Sequence, residues 1–290
     1  MTEKFSVLLP VYAGDRPDWL RRAFASITAE QTLAPDEVVL VRDGPVGAAL
    51  ETAIDELRAG SSVPVTYVPL PQNLRLAGAL QEGLARCSHE LVARADADDI
   101  CLPERFARQI PAMAGLDLLG SAVAQFDDEE HLRAWLDGAP DGPGAGRVTV
   151  RTRPATTARI RDYAAFHNPF NHPSVVFRRS AVLAAGGYED LPFMEDYWLF
   201  VRMIMAGSAV GNLPEALVGY RAGAELFDRR GGWVAMRSDW RFQRRAHSLG
   251  LTTRTQFVRN LGTRAAYRLV PGRLRAWGYQ RFVATRRATQ

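Results

Sequence analysis

Four strand-length apolar runs, separated by helical stripes, constrain this chain more than any other feature. Phe5–Tyr12 (FSVLLPVY) is almost continuously apolar, as a parallel strand covered on both faces must be. Asp15–Gln31 then sets Trp19, Leu20, Ala23, Phe24 and Ile27 on one helical face behind Pro17, a residue suited to a first turn. The pattern continues as strand Glu37–Val41, helix Val46–Ala59, strand Val63–Leu70, helix Leu74–Arg86 and strand Leu91–Ala95. Parallel strands need long crossovers and helices supply them, so βαβαβαβ predicts an α/β, doubly wound, mostly parallel sheet. Further on, Pro103–Ala114 reads as helix, Leu116–Phe126 as strand, Thr156–Phe166 as helix, Ser174–Phe177 as strand, and Arg179–Ala185 and Glu195–Ala206 as helices. Asp137–Arg147 (DGAPDGPGAGR) is dense in glycine and proline and reads as an exposed, mobile loop.

Acidic residues stand where the first, second and fourth strands stop: Asp15 just beyond Tyr12, Asp43 in VRDGP, and Asp96, Asp98 and Asp99 in LVARADADDICL. Ligands of open α/β sheets bind at the carboxyl ends of strands. Two carboxylates spaced D-x-D can share a hard divalent cation, Mn2+ or Mg2+, that carries phosphate oxygens. A helix N-cap accounts for one aspartate of the three, and Asp99, ahead of Pro103 and Glu104, is best placed for it. Asp43 suits a base or ribose contact, or a plain Asp-Gly-Pro turn. Glu195 and Asp196 open a helix behind the segment GGYEDLPFM, which reads as flexible; they suit general-base work or compensation of the helix dipole. His172, in FNHPSVVF, precedes a strand and so falls at the wrong end for a ligand unless its loop folds over the site. Arg221 in VGYRAG, and Arg229 and Arg230 in DRRGGW, suit phosphate neutralisation from a glycine-hinged lid or solvated linker charge.

From Arg221 onward the alternation stops. Trp233–Leu249 and Thr255–Arg287 read as helices, the second broken at Pro271 and Gly272, with aromatic residues interleaved among arginines. The net charge is only +4, but almost every cation is arginine and the arginines crowd this last quarter. Such a tail suits an anionic membrane surface as well as a helical cap docked by its aromatics. No recognition-helix or RNP-type motif accompanies it, so nucleic acid is not an expected partner. The chain has no apolar run of about 18 residues, and its N-terminal segment lacks the charged region and cleavage signal of a secretory peptide. A cytoplasmic protein, with peripheral contact at the inner face of the plasma membrane, is therefore expected. Cys87 and Cys101 have no zinc-site spacing and read as inert core thiols. The expected division is a domain over residues 1–222 and a basic, aromatic-rich helical region over 223–290.

Taken in order, FSVLLPVYAGDRPDWLRRAFASITAEQTLAPDEVVLVRDGP, NLRLAGALQEGL, LVARADADDICLPERFARQ, FNHPSVVFRRSAVLAAGGYED and FMEDYWLFVRM resemble the family 2 glycosyltransferases of GT-A fold. The chain looks most similar to bacterial members that build exopolysaccharide and capsule. The resemblance runs in register over residues 4–222, and the RRGGW segment extends it toward residue 245. It implies an inverting, metal-dependent enzyme that uses a nucleotide-diphospho sugar, a UDP-sugar by preference, and a saccharide or polyprenyl-linked acceptor. By the same resemblance, Pro10, Val11, Tyr12 and Asp15 border the nucleotide base and Asp43 binds base or ribose. Asp96 faces ribose and metal, Asp98 the metal, and His172 and Arg221 approach the diphosphate. Asp196 is the implied catalytic base, with Glu195 as runner-up.

Two departures stand out. Many members read N-x-G where this chain has Asn73-Leu74-Arg75, and many have Asn where it has Gln81. Arg75 therefore either contacts the donor or points outward. Two rival classes remain open. A sugar-phosphate nucleotidylyltransferase needs a glycine-rich, basic loop after its first strand, which PVYAGDRP is not. An inactive nucleotide-sugar-binding scaffold of a polysaccharide assembly complex has no use for the intact acidic set.

Overall fold

The computed structural model describes residues 3–138, 148–222 and 233–269. The chain divides into two compact units, Met1–Asp190 with Glu195–Arg221, and Leu191–Met194 with Ala222–Gln290.

In the first unit the alternating half folds as its pattern dictates. β1 (Phe5–Tyr12), β2 (Glu37–Asp43), β3 (Val65–Pro69) and β4 (Leu91–Arg94) are parallel and stand in the order β3-β2-β1-β4, connected through α1 (Pro17–Ile27), α2 (Ala48–Gly60) and α3 (Arg75–Leu84). Val7, Leu9, Val38, Leu40, Leu91 and Ala93 are buried in one continuous core. This explains why these strands carry almost no polar residues. Because the strands are parallel, Tyr12, Asp43 and Arg94 all finish at the same edge of the sheet.

The other half is mixed. β8 (Val176–Arg178) lies antiparallel between β4 and β6 (Leu118–Phe126), while β9 (Val210–Arg221) runs parallel to β6. β5 (Ile100–Cys101) pairs antiparallel with β9, and β7 (Thr149–Arg151) with β6. The long ladders are thus parallel and the short ones antiparallel. Completing this unit are α4 (Arg105–Ala112), α5 (Glu129–Leu136), α6 (Thr157–Ala164), α7 (Arg179–Ala184) and α8 (Glu195–Met205).

Four elements, β5, β7, β9 and α5, escape the hydrophobic pattern. β9 carries Pro214 and Glu215 in its interior, and its register against β6 slips between Ser121 and Val123. An irregular stretch accommodates a proline that a regular ladder would exclude. β5 is two residues long, and α5 is started by Asp128, whose carboxylate accepts the Glu130 N–H at 2.9 Å.

In the second unit α9 (Trp233–Ser248) and α10 (Arg254–Leu269) are joined by a buried amide pair, Asn260 Nδ2 to Gln243 Oε1 at 3.1 Å. An Arg264–Asp239 ion pair at 2.7 Å and the stacked rings of His247 and Phe257 add to the contact. Residues 139–147 of the glycine-proline segment, Arg229, Arg230, and the expected helical stretch beyond residue 269, with Pro271 and Gly272, lie outside the described residues. Among the described residues no helix is long and apolar enough to cross a membrane.

Candidate active site

The site grows from the end of β4. Asp96, Asp98 and Asp99 each present a carboxylate oxygen, and these oxygens lie within 4.8 Å of one another. Asp99 is not the N-cap of the following helix. α4 starts only at Arg105 after Glu104, and the intervening Ile100 and Cys101 belong to β5. Its side chain is buried; one oxygen accepts the Arg221 N–H at 2.8 Å, and the other has no hydrogen-bond partner among the described residues. Burial and the adjoining Asp98 push the Asp99 carboxyl well above the usual range. Asp98 is pushed up to about 6, first by burial and then by the Asp96 charge. Three crowded carboxylates with an unsatisfied buried oxygen fit a divalent cation, which would satisfy that oxygen and relieve the repulsion.

Arg94, the last residue of β4, is the partner that sequence reasoning misses. Its side chain is 2 % exposed and forms an ion pair with Asp96. A single arginine in a hydrophobic strand carries no motif, so only the fold reveals it.

Arg221 reaches the cluster through its backbone and its side chain alike. Besides the N–H on Asp99, its Nε donates to the Asp98 carbonyl at 2.9 Å. Its guanidinium lies over Trp19 and Phe126 at 4.8 and 4.7 Å and approaches Glu129 at 3.8 Å. The side chain expected at the diphosphate is therefore spent on holding the Asp98–Asp99 loop.

At the end of β1, Asp15 closes a tight turn: its carboxylate accepts the Tyr12 N–H at 2.9 Å, and its own N–H donates to the Tyr12 carbonyl at 3.0 Å. Tyr12 is 40 % exposed whereas Val11 behind it is buried, so the tyrosine ring is the accessible part of this strand end. Pro10 is buried in β1, facing Val41 of β2 across the ladder. Asp43, at the end of β2, accepts the Leu74 N–H at 2.6 Å and is raised by burial. Turn chemistry is thus part of its work, since it ties β2 to the start of α3.

Arg75 occupies the position where many family members carry glycine, and its φ of +63° is the conformation glycine favours. Its exposed guanidinium pairs with Asp190. A side chain held in a conformation that costs about 1–2 kcal/mol points to a use for that side chain. Gln81, the other departure, acts through its Oε1, which accepts the Tyr188 N–H at 2.9 Å. Together with Arg202, whose Nη1 donates to the Ala185 carbonyl at 2.7 Å, it pins the glycine turn. The first part of GGYEDLPFM is thus tethered where the sequence reads as flexible.

His172 falls on the site side after all. β8 is antiparallel to β4, so the residues leading into β8 lie at the end where β4 finishes. His172 is buried, its Nε2 lies 3.2 Å from the Tyr188 hydroxyl, and burial and then the Arg94 charge lower its pKa well below the ordinary value. It is therefore a neutral imidazole. Glu195 and Asp196 form the first turn of α8. The Asp196 carboxylate accepts from Asn168 Nδ2 at 2.7 Å and from the Tyr197 N–H at 2.6 Å. The Glu195 carboxyl is raised to about 7 by burial and then by the Asp196 charge, and Arg94 works in the opposite sense. Tyr188 feels Arg94, Asp196, Glu195 and Asp96 together, so the strand-end acids and the α8 acids flank one buried tyrosine.

Residues 6–184 match the family described as "Glycosyl transferase family 2". The chain belongs to the family 2 glycosyltransferases. This family 2 enzyme is 38% identical to the amylovoran biosynthesis glycosyltransferase AmsE of Erwinia amylovora, over 96% of its own length and 98% of that protein's. It is 31% identical to the UDP-Gal:alpha-D-GlcNAc-diphosphoundecaprenol beta-1,3-galactosyltransferase of Escherichia coli, with 97% of each chain covered. Among solved structures, the mannosyltransferase PcManGT of Pyrobaculum calidifontis, in complex with GDP-Man and Mn2+, superposes with a TM-score of 0.63. That match has 16% identity and covers 100% of this chain and 76% of the other. TarS 1-349 of Staphylococcus aureus, in complex with UDP-GlcNAc, also gives 0.63 at 16% identity, covering 97% and 76%. At such identity these matches speak for the GT-A fold. Membership of the family also removes the nucleotidylyltransferase alternative.

Proposed function

We propose that this glycosyltransferase moves a sugar from a nucleotide diphosphate donor, a UDP-sugar by preference, to a saccharide on a polyprenyl-type lipid, with inversion at the anomeric carbon. The observation that carries the reading is the Asp96–Asp98–Asp99 cluster at the end of β4, together with the buried Tyr188 that feels both Asp96 and the Glu195–Asp196 turn. Tyr12, Asp15, Asp43 and Arg75 line the route expected for the nucleotide, with Pro10 and Val11 forming the strand beneath. Asp96, Asp98 and Asp99 would hold Mn2+ or Mg2+, which when bound supplies positive charge to the diphosphate oxygens. His172 keeps a neutral imidazole beside Tyr188, so positive charge near the donor comes from arginines, Arg94 beside Asp96 and Arg221 beside Asp98 among them. Asp196 takes the proton of the acceptor hydroxyl as that oxygen attacks from the face opposite the nucleotide, its carboxylate held by Asn168. The relatives named above support donor and acceptor class, since one is named for a UDP-galactose donor and a diphosphoundecaprenol acceptor. A thermal-shift panel of UDP-, GDP- and dTDP-sugars, each with Mn2+ and with EDTA, tests it. A rise in Tm for UDP-sugars that depends on the metal is expected; a panel without any metal-dependent shift contradicts the reading.

The second unit fits a peripheral contact with an anionic lipid surface. Between Trp233 and Leu269 stand eight arginines and a single acidic residue, Asp239, which is buried against Arg264. On α9, Arg237, Arg241 and Arg244 are exposed beside Trp240, and the Arg244 guanidinium lies over the Trp240 ring. Basic side chains with an interfacial ring favour lipid phosphate. Sedimentation with phosphatidylglycerol vesicles should capture the wild-type protein at low salt and lose it in Arg241→Glu/Arg244→Glu; equal capture by pure phosphatidylcholine vesicles would show that charge is not the cause.

A further inference from the structure

We propose that Arg75 is a positioning residue: through Asp190 it fastens the turn over residues 185–190 to the start of α3, and so sets where the α8 acids stand relative to the nucleotide end of the sheet. The inference rests on the functional reading above and gives Arg75 a task in it beyond lining the donor route. The segment that leads into α3 is bound to the end of β2. Leu74 N–H donates to the Asp43 carboxylate at 2.6 Å, Asn73 Nδ2 to the Asp43 carbonyl at 3.3 Å, and the Arg75 N–H to Asn73 Oδ1 at 3.0 Å. These bonds hold the Arg75 backbone at its φ of +63°, and the guanidinium it carries pairs with Asp190.

Stability of the fold does not account for that pair. The Arg75 side chain is 62 % exposed and that of Asp190 45 %, and an ion pair so open to water stabilises a fold by less than a left-handed residue with a side chain costs it. Glycine would take the same conformation without strain. What the arginine adds is reach, from the start of α3 to the turn.

α3 is a firm support for such a contact. Its Gly83 lies so close to the sheet that a Cβ there would fall 2.4 Å from Leu8 Cδ1 and 2.5 Å from Val41 Cγ2. Gln81 of the same helix accepts the Tyr188 N–H at 2.9 Å, so α3 holds the turn at two points. On its other side the turn is bonded to α8. Trp198 Nε1 donates to the Glu189 carboxylate at 3.0 Å, and Arg202 donates to the Ala185 and Gly187 carbonyls at 2.7 and 2.5 Å. Trp198 and Arg202 belong to the helix whose first turn carries Glu195 and Asp196. A path of direct contacts therefore runs from Asp43 through Leu74, Arg75, Asp190 and Glu189 to α8, and the Arg75–Asp190 pair is its solvent-exposed link.

The experiment compares full-length wild type, Arg75→Gly, Arg75→Lys, Asp190→Asn and the double variant Arg75→Gly/Asp190→Asn for Tm, the Kd for UDP with Mn2+, and kcat toward a GlcNAc-diphospholipid acceptor. Arg75→Gly and Asp190→Asn are each expected to lose about 10-fold in kcat at wild-type Tm, with UDP affinity within about 3-fold, since a displaced catalytic group costs turnover rather than donor binding. The double variant should lose no more than either alone, because both substitutions remove one contact. Arg75→Lys should recover part of the turnover, as an ammonium keeps the charge and not the planar fork. The two single substitutions remove charges of opposite sign, so an effect through the field alone acts in opposite senses. Opposite effects on kcat, losses that add in the double variant, or wild-type kcat in Arg75→Gly overturn the proposal. So does UDP binding that Arg75→Gly weakens about 10-fold or more and Asp190→Asn leaves whole, which makes Arg75 a direct donor contact. Should Arg75→Gly melt well below wild type, Asp190→Asn decides alone: lower kcat at unchanged Tm and UDP affinity supports the proposal, and wild-type kcat overturns it. Wild-type protein that neither binds UDP nor transfers sugar would instead sink the functional reading and this inference with it.

Discussion

Asp196→Asn is expected to lower turnover by about 10²–10⁴-fold while UDP still binds, the loss associated with removing a general base. The side chain is held by Asn168 and by the Tyr197 N–H, so an amide of the same shape keeps most of the surroundings in place. Glu195→Gln is the control. Because the Glu195 carboxyl is raised to about 7, folding takes up its proton between the unfolded carboxylate range and neutrality. Its contribution to stability is therefore complete below about pH 4 and lost as pH rises through about 7. Glu195→Gln should then melt above wild type at pH 8, with the difference closing by pH 5. If Glu195→Gln abolishes transfer and Asp196→Asn leaves it whole, the base is Glu195.

The second large effect concerns Asp98→Asn. Removing a proposed ligand should weaken metal-dependent UDP binding by at least about 100-fold, the upper end of what losing an outer-sphere partner costs. The same substitution removes one of three mutually repelling charges, and the raised Asp98 carboxyl shows that its ionised form is the costly one. Metal-free Asp98→Asn should consequently melt no lower than wild type at pH 8, yet gain nothing from Mn2+. Calorimetry with and without the ion separates the two effects. A variant that still shows the wild-type metal-dependent shift would remove Asp98 from the ligand set.

Legibility in the sequence followed burial. β1, β2 and β4 could be read because they are buried almost throughout and mostly apolar, and the acids at their ends stood out against that background. β9 could not, since Pro214 and Glu215 interrupt its pattern and its pairing with β6 is irregular. The position of His172 depended on strand direction, which hydrophobic period does not encode. Asp99 looked like a cap because its neighbours looked like a helix start, whereas two residues of β5 intervene. Arg94 was invisible for a different reason: its meaning lies in what surrounds it, and those partners come from distant parts of the chain.

The proposed roles of the strand-end cluster and the α8 turn require one displacement at the anomeric carbon. The most direct test uses whichever α-configured nucleotide sugar the thermal-shift panel selects, labelled with carbon-13 at the anomeric position, with Mn2+ and a GlcNAc-diphospholipid acceptor. NMR then reads the new linkage. A β-linked product is predicted; an α-linked product would contradict the single displacement and the role given to Asp196.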